Sequence, residues 1–372
     1  MIDLYLTDSL RGKKEKFIPL NDKKVKMYVC GITPYDYSHI GHGRSYVDFD
    51  VLFRLLAFLG YDVTYVRNFT DIDDKILNKA ISVYRDISKY RLIADEYISL
   101  FEKDMKALNC LKPTYEPRVT DNIDEIINFI KELINKGYAY IVEHDVYFDT
   151  SRFKEYGKLS KRKKEDVQAG ARVEISSKKR QPEDFVLWKG NNEHLFWKSE
   201  WGYGRPGWHI ECSVLARKFL GDTIDIHGGG SDLIFPHHEN EIAQSEALTG
   251  KPFVRYWVHN AFVMVEKEKM SKSLGNYFTL HAIFEKFDPM VLRFYFLQHH
   301  YRTPIDFNLK SLDAAKGGYE RLTKIFGIDD LDTAVNLKID DIDLSLPPVR
   351  EFLSCLADDL NTPKSLAVIF EN

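Results

Sequence analysis

Residues 25–84 show an order of hydrophobic patterns that predicts a strand, a helix, a second strand and a second helix. Val25 to Gly31 is an almost entirely apolar run of strand length. From Ser45 the apolar positions recur at helical spacing, and Gly60 is suited to end that helix. Residues 61–69 alternate as a strand and residues 71–84 follow a helical pattern. This order predicts a parallel β-α-β unit in an α/β fold.

The same strand pattern returns at residues 223–227 and 255–259, after a stretch of different character. We therefore predict one α/β domain that is split by an α+β insertion. An Asp-rich linker and the start of a helical domain are predicted after it. The predicted segments are 1–112 (first half of the α/β domain), 113–204 (connective insertion), 205–262 (second half), 263–328 (a following region) and 329–372 (linker and incomplete helical domain).

Composition excludes several classes of protein. Of the 372 residues 44% are hydrophobic and 29% charged, which is enough apolar material for more than one core and argues against general disorder. Four cysteines are too few for a disulfide framework and fit a reducing compartment. The longest apolar stretch, residues 51–59, is too short to cross a bilayer, and the N-terminus lacks the apolar segment of a signal peptide. We expect a cytoplasmic monomer without membrane contact.

Charge is unevenly distributed along the chain. The net charge is −4 overall, whereas residues 151–180 hold eleven lysines or arginines against four aspartates or glutamates. The basic stretch is open to two interpretations, a solvated surface segment or a surface that contacts a polyanion.

The first motif with chemical potential is His39-Ile40-Gly41-His42, which follows the first predicted strand. We place it in a loop just before the helix that starts at Ser45. A helix N-terminus favours phosphate, two imidazoles add hydrogen-bond donors, and glycine permits close approach of a ligand to the backbone. Alone, this short pattern also fits a capped loop.

The second motif is Lys269-Met270-Ser271-Lys272-Ser273. Two lysines with hydroxyl groups between them can bind the phosphates of a nucleotide and stabilise charge that develops in a transition state. By itself the pentapeptide equally fits a solvated loop.

A possible metal site is spread along the chain. Cys30 ends the first predicted strand, Cys212 lies in GWHIECS, and His237 and Glu241 lie four residues apart in PHHENE. On a helix that spacing puts His237 and Glu241 on one face. Two thiolates, an imidazole and a carboxylate form a reasonable tetrahedral zinc set. Spacing alone cannot pair two cysteines so far apart, and either could be a buried apolar residue instead.

Taken together, HIGH and KMSKS resemble the class I aminoacyl-tRNA synthetases, and the chain closely resembles the cysteinyl-tRNA synthetases. The stretches that carry this resemblance extend from Tyr28 to Asn276, and LNTPKSLAVIFE resembles a later helical region of the family. They are YVCGITPYDYSHIGHGRS, NFTDIDDKI, QAGARVE, PEDFVLWK, GWHIECS, DIHGGGSDLIFPHHENEIAQSEA and KMSKSLGN.

The resemblance implies a Rossmann-type parallel sheet split by the insertion, a KMSKS-bearing segment that contacts the tRNA stem, and the start of a helical bundle. It also implies roles for particular residues. The implied zinc ligands are Cys30, Cys212, His237 and Glu241. The implied cysteine-binding residues are Gly31, Thr70, Trp208 and His227. The implied ATP-binding residues are His39, Gly41, His42, Asp232, Lys269 and Lys272, of which His39, His42, Lys269 and Lys272 are expected to be catalytic. His238 is expected to lie near the ligands without binding the metal.

The implied activity is ATP-dependent formation of cysteinyl-adenylate and transfer of cysteine to the 3′ end of tRNA(Cys). One Zn²⁺ per chain is expected, and Mg²⁺ is expected to accompany ATP. Family members usually continue beyond this length into a complete helical bundle and an anticodon-binding part, so we expect that part to be missing here. The alternative is a ligase that joins cysteine to a sugar amine in mycothiol synthesis, a related family without the anticodon-binding part.

Overall fold

The computed structural model describes residues 2–162, 178–191, 196–265, 268–269, 277–326 and 337–372. The helices in these ranges are α1 (Ile40–Phe58), α2 (Asp74–Tyr84), α3 (Tyr90–Ala107), α4 (Ile123–Asn135), α5 (Trp208–Leu220), α6 (Glu239–Thr249), α7 (Leu280–Phe284), α8 (Pro289–Leu297), α9 (Leu309–Phe326), α10 (Pro347–Ala357) and α11 (Thr362–Glu371). The strands are β1 (Tyr5–Asp8), β2 (Lys13–Lys16), β3 (Lys24–Ile32), β4 (Asp62–Phe69), β5 (Ala139–Val142), β6 (Asp145–Phe148), β7 (Phe185–Gly190), β8 (Trp197–Ser199), β9 (Gly202–Pro206), β10 (Ile224–Gly230), β11 (Val254–Asn260), β12 (Val263–Val265), β13 (Glu268–Lys269) and β14 (Ile305–Asp306).

The central sheet contains four parallel strands in the order β11-β10-β3-β4. Tyr28 of β3 is paired with Val66 of β4 on one side and His227 of β10 on the other. The predicted β-α-β unit over β3, α1 and β4 is confirmed. So is the prediction that strands before and after residues 113–204 belong to one α/β fold.

Alternation along β3 sends its side chains into two different cores. Val25, Met27 and Val29 pack with α1 and α8, whereas Tyr28 and Cys30 pack on the opposite face with α4, α5 and α6. Helices therefore cover both faces of the parallel sheet, as expected for a sheet whose strands are buried on both sides. The second face brings Cys30 toward α5 and α6.

Residues within the predicted insertion form a separate antiparallel sheet of five strands in the order β5-β6-β7-β9-β8. Strand β9, Gly202–Pro206, spans the predicted boundary at residue 204. Before this sheet, Tyr115 and Arg118 form parallel bridges to Val66 and Phe69, so the start of the predicted insertion lies along β4.

Helix α1 begins five residues earlier than the apolar pattern predicts. It starts at Ile40 with His39 as its N-cap, so the HIGH motif forms the first turn of the helix rather than a preceding loop. The same motif contains Gly41 and is followed by Gly43, and glycines weaken the helical pattern in the sequence. A Cβ on Gly43 would lie 2.8 Å from Leu280 Cδ2, so this glycine permits α7 to pack closely on α1.

Two smaller sheets flank the central one. Strands β1 and β2 form an antiparallel hairpin, and β12 pairs with β13 antiparallel and with β14 parallel. The helical region predicted near the C-terminus is present as α10 and α11, while residues 329–336 of the predicted linker lie outside the described part. Among the described helices, none combines the length and apolar character that crossing a membrane would require.

Candidate active site

The candidate site lies where β3 and β10 meet at the carboxyl ends of the parallel strands. From β3 the chain crosses through α1 to β4, whereas β10 on its other side leads through α6 to β11. Such a reversal of strand order opens a crevice at the carboxyl edge, where ligands bind in α/β sheets.

Four side chains from three parts of the chain converge in this crevice. Cys30, Cys212, His237 and Glu241 are all buried, and one ligand atom from each lies within 4.8 Å of the others. Cys30 Sγ is 3.8 Å from Cys212 Sγ and 3.7 Å from Glu241 Oε1, and His237 Nε2 is 3.2 Å from Glu241 Oε1. His237 precedes the regular part of α6, but the predicted contact with Glu241 is present.

These separations suit a tetrahedral metal. Bonds of ~2.0–2.3 Å to nitrogen, oxygen and sulfur place neighbouring ligand atoms ~3.3–3.8 Å apart. The measured separations fall near this interval, and the thiol pair lies at its upper end as two long metal–sulfur bonds require. These three donor separations are therefore close to those that a tetrahedral zinc site requires.

A second set of potential ligands overlaps the first. Cys30 and Glu241 also converge with His227 and His238, and Cys30 Sγ lies 3.3 Å from His238 Nε2. The structure thus places His238 as close to Cys30 as a metal ligand would be, so distance alone does not separate it from the ligands. Its other nitrogen, Nδ1, is 2.8 Å from His259 Nε2, and His227 Nε2 is 2.8 Å from Glu241 Oε2.

Burial favours the neutral forms of the cluster's side chains. Burial raises the pKa of the Cys30 thiol and the Glu241 carboxyl and lowers the pKa of His237. The hydrogen bond with Cys30 is the largest influence on the pKa of Cys212 and lowers it, but burial and the nearby Glu241 and Glu211 carboxylates together make the net shift upward. A divalent cation would stabilise the thiolates and the carboxylate, so its binding would release protons.

The residues expected to bind the amino acid lie around this cluster. The ring of Trp208 is 4.3 Å from that of His237 and is 42% exposed, while His227 is fully buried and stacks on Trp257 at 4.7 Å. Thr70 is buried and donates a 2.7 Å hydrogen bond to Glu211 Oε2.

Gly31 is required by a close approach of two backbones. A Cβ at this position would lie 1.5 Å from the carbonyl oxygen of Asn68, which is fixed in β4. We predict that Gly31→Ala lowers the free energy of unfolding by ~1–3 kcal/mol or more, because β3 and β4 must separate beside the cluster. Urea denaturation measures this. Gly317→Ala, on α9 with no atom near its Cβ, is the control and should be neutral or stabilising. Equal midpoints for Gly31→Ala and the parent would contradict the prediction.

His39 and His42 cap the N-terminus of α1 reciprocally. The backbone N–H of His42 donates to His39 Nδ1 at 3.2 Å, the N–H of His39 donates to His42 Nδ1 at 3.4 Å, and the rings stack 3.7 Å apart. A neutral imidazole that accepts at Nδ1 carries its proton on Nε2. Both rings can therefore donate from Nε2 at a helix terminus that already favours phosphate.

His42 is expected to stay neutral over the physiological range. Burial lowers its pKa to about 4, although Asp232 acts in the opposite direction. The unfolded chain protonates His42 more readily than the folded chain does. The contribution of neutral His42 to stability is therefore complete above about pH 6.5 and is lost as the pH falls toward 4. We predict that the NMR signal of His42, assigned with His42→Gln, shows no protonation above about pH 5. A midpoint near 6.5 would contradict this.

Asp232 follows β10 at the same edge of the sheet, and its charge acts to raise the pKa of His42. A cavity of about 1540 Å³ opens beside it, lined by Trp208 and Asp232 on one side and by Tyr147, Lys189 and Arg205 of the five-stranded sheet on the other. The cavity thus separates the candidate site from the predicted insertion.

The second signature motif is only partly described. Lys269 is on β13, with its backbone paired to Met264 of β12. Lys272 lies outside the described residues, as do QAGARVE and residues 163–177 of the basic stretch. After the motif, Thr279 forms an antiparallel bridge to His39, so the chain returns to the first turn of α1.

The sequence interpretation missed two buried polar residues that connect these parts. Asn68 Oδ1 accepts hydrogen bonds of 3.0 Å from Tyr28 Oη and from the Gly31 backbone N–H. Glu211, beside Cys212, accepts the bond from Thr70 and is 1% exposed. Asn68 could have been found as a polar residue at the carboxyl end of a predicted strand, whereas nothing in the sequence marks Glu211 as buried.

Comparison with known proteins shows which family this chain resembles. Residues 16–317 match the family model of the catalytic domain of class I (C) tRNA synthetases. A cysteine–tRNA ligase of Geobacillus sp. (strain WCH70) is 52% identical over 378 residues, covering 100% of this chain and 80% of that protein. One of Geobacter sulfurreducens is 50% identical, covering 99% of this chain and 77% of that protein.

A solved structure of Mycobacterium tuberculosis methionyl-tRNA synthetase in complex with methionyl-adenylate has the same fold, with a TM-score of 0.67 at 16% identity over 94% of this chain and 81% of that one. The structural likeness establishes the architecture, and the sequence matches establish the family. The chain belongs to the class I tRNA synthetases, in the family of the cysteine–tRNA ligases.

Proposed function

We propose that this chain activates L-cysteine with ATP to form cysteinyl-adenylate and transfers the cysteine to the 3′ end of tRNA(Cys). The observation that carries this proposal is the buried Cys30–Cys212–His237–Glu241 cluster at the crevice of a class I synthetase fold. A synthetase that must recognise a thiol has use for a metal, because shape distinguishes cysteine from serine poorly.

Of the two overlapping ligand sets, the one with two thiols is the better zinc site. Thiolates are preferred zinc ligands, and the second set contains only one. In addition, His227 Nε2 already has a partner in Glu241 Oε2, at 2.8 Å. In this assignment His227 orients the ligand carboxylate, an arrangement typical of the groups around a metal's direct ligands.

The need for discrimination can be stated as a free energy. A pocket that works by shape separates near-isosteres by roughly 100-fold, whereas translation requires about 10⁴–10⁵, or ~5.5–7 kcal/mol. A bound zinc would hold the substrate sulfur as a thiolate and lower its pKa, whereas the far less acidic hydroxyl of serine would stay protonated at neutral pH. The chain's contribution is to hold four ligands in a buried position, where the substrate thiolate would add to the zinc as a fifth ligand.

The remaining pocket residues would bind the rest of the amino acid. Gly31 lies beside the cluster with its backbone N–H bonded to Asn68 Oδ1, Thr70 is held by Glu211, and Trp208 covers His237 at the open side. His227 would hold the Glu241 carboxylate in place through its hydrogen bond to Oε2. Together they would exclude water from the substrate sulfur and orient the carboxylate of the bound cysteine toward ATP.

ATP would bind at the first turn of α1. Nε2–H groups of His39 and His42 would donate to its phosphates, Gly41 would admit the nucleotide near the backbone, and Asp232 would contact the ribose. Lys269 and Lys272 would bind the phosphates, with Mg²⁺ accompanying the nucleotide.

In the activation step a cysteine carboxylate oxygen attacks the α-phosphorus, a new P–O bond forms, and the bond to the leaving pyrophosphate breaks. The protein supplies positioning and charge stabilisation, without a nucleophile of its own.

The domain boundaries belong to the same proposal. Residues 1–112 and 205–262 would form the catalytic domain, 113–204 the connective insertion, 263–328 the stem-contact region, and 329–372 a linker with part of a helical domain. The basic residues of 151–180 would contact the acceptor end of the tRNA.

Pyrophosphate exchange followed by product analysis tests the proposed function. Exchange should depend on cysteine, and labelled cysteine should then appear on tRNA(Cys). Transfer to glucosaminyl-inositol instead would make the chain a sugar-amine ligase, and exchange without cysteine dependence would overturn the proposal.

A further inference from the structure

Arg44 is a fully buried arginine near the start of α1, two residues after His42. Its guanidinium group donates to backbone carbonyls of five residues that are more than 200 positions away in sequence. From Nη1 it reaches Ala261 at 3.1 Å and Phe262 at 2.9 Å, and from Nη2 it reaches His300 at 3.2 Å, Tyr301 at 3.2 Å and Thr303 at 2.5 Å. Its Nε faces Asp48 Oδ2 at 3.6 Å.

These carbonyls belong to the two segments that begin the β12-β13-β14 sheet. Residues 261–262 connect β11 to β12, and residues 300–303 lead into β14. The segments are also bonded to each other, through Ala261 N to Tyr301 O at 2.8 Å and Ile305 N to Phe262 O at 3.1 Å. Arg44 therefore attaches the base of this sheet to the N-terminal part of α1.

The strand that carries Lys269 depends on this base. Met264 is two residues from Phe262, and it pairs with Lys269 in the β12–β13 ladder. On the other side of the KMSKS segment, Ile40 N donates to Phe278 O at 3.0 Å and Leu280 N to Ser38 O at 2.7 Å. The chain before and after that segment is thus attached to the N-terminal end of α1, at residues 38–44.

No other side chain type reproduces this arrangement. Arginine offers five donors in a rigid planar group, whereas lysine offers three on a flexible stem. Burying a cation mostly among neutral carbonyls is costly and is not needed merely to fill space. The arrangement is best explained by a requirement for one fixed distance between the HIGH turn and the β12–β13 strands.

We propose that Arg44 is a positioning residue that holds the strand pair carrying Lys269 in a fixed relation to the imidazoles of His39 and His42. The inference rests on the proposed activation of cysteine. It predicts that Arg44 acts on the activation step through Lys269 and leaves the metal cluster unaffected.

A double-mutant cycle tests this. Arg44→Lys should lower kcat for cysteine-dependent pyrophosphate exchange by ~10²-fold, the effect expected of a displacement of about 1 Å, while KM for cysteine and the zinc content stay at the parent values. In a Lys269→Ala background the same change should lower kcat by less than about threefold, because residues that act as a unit are not additive. If Arg44→Lys does not fold, Arg44→Met, which removes the buried charge and its desolvation cost, replaces it.

Arg293→Lys is the matched control. Arg293 is also buried and donates to the carbonyls of Leu108 and Asn109, at 2.9 and 3.1 Å, and to Asp50, none of which lies in the β12–β14 region. It should lower the urea midpoint while leaving kcat within about threefold of the parent. Equal fold losses of kcat for Arg44→Lys in both backgrounds, or a loss of stability alone, would overturn the positioning role. Absence of cysteine-dependent exchange in the parent chain would instead overturn the proposed function.

Discussion

Cys212→Ser is expected to lose zinc and to lose cysteine activation with it. The substitution replaces the sulfur that lies 3.8 Å from Cys30 Sγ with a hydroxyl, which is a poor zinc ligand at neutral pH. Changing residues that merely support metal ligands costs ~10–100-fold in affinity or activity, so removal of a direct ligand should cost more than ~10²-fold in kcat/KM for cysteine. Metal analysis and pyrophosphate exchange measure the two effects.

Cys110→Ser provides the control for this substitution. Cys110 is partly buried near Arg293, away from the cluster, so its variant should retain zinc and activity. If Cys212→Ser binds one zinc per chain and still discriminates cysteine from serine as the parent does, Cys212 is not a ligand. If Cys212→Ser retains activity and His238→Ala abolishes zinc binding, these two results together would favour the alternative ligand set.

Lys272→Ala is expected to slow activation while the zinc content stays normal. Lys272 is identified from the KMSKS motif, and one charge-assisted contact made mainly in the transition state is worth ~2.7–4 kcal/mol, or ~10²–10³ in rate. Single-turnover formation of adenylate measures the rate of this step directly.

Lys251→Ala is the matched control for Lys272→Ala. Lys251 is an exposed lysine that pairs with Asp222 at 2.9 Å, just before β11 and therefore at the opposite edge of the central sheet from the candidate site. It should activate cysteine at the parent rate. A Lys272→Ala rate within twofold of the parent would show that Lys272 is a solvated lysine.

The sequence predicted those parts of the fold whose information is local. The apolar run over Val25–Gly31 and the alternation over 61–69 correspond to β3 and β4, and the four-residue spacing of His237 and Glu241 correctly predicted their contact. The start of α1 was wrong because the first turn is stabilised by histidine caps and by packing on α7, neither of which changes hydrophobic periodicity.

Contacts between distant residues could not be read from the sequence without the family resemblance. Cys30 and Cys212 meet because alternation along β3 sends Cys30 to the face that α5 covers, which requires knowledge of strand order. Arg44 and Glu211 would be placed at the surface by residue type, since charged side chains are seldom fully buried. Their partners are supplied by other segments of the folded chain.

The most direct test of the account is cysteine-dependent pyrophosphate exchange by the zinc-loaded chain, with serine as the competing substrate. We expect exchange with cysteine to exceed exchange with serine by at least about 10⁴-fold in kcat/KM, and we expect chelation of zinc to remove the exchange with cysteine. Equal use of cysteine and serine, or full cysteine discrimination after complete removal of zinc, would contradict the central claim that the Cys30–Cys212–His237–Glu241 cluster recognises the substrate thiol.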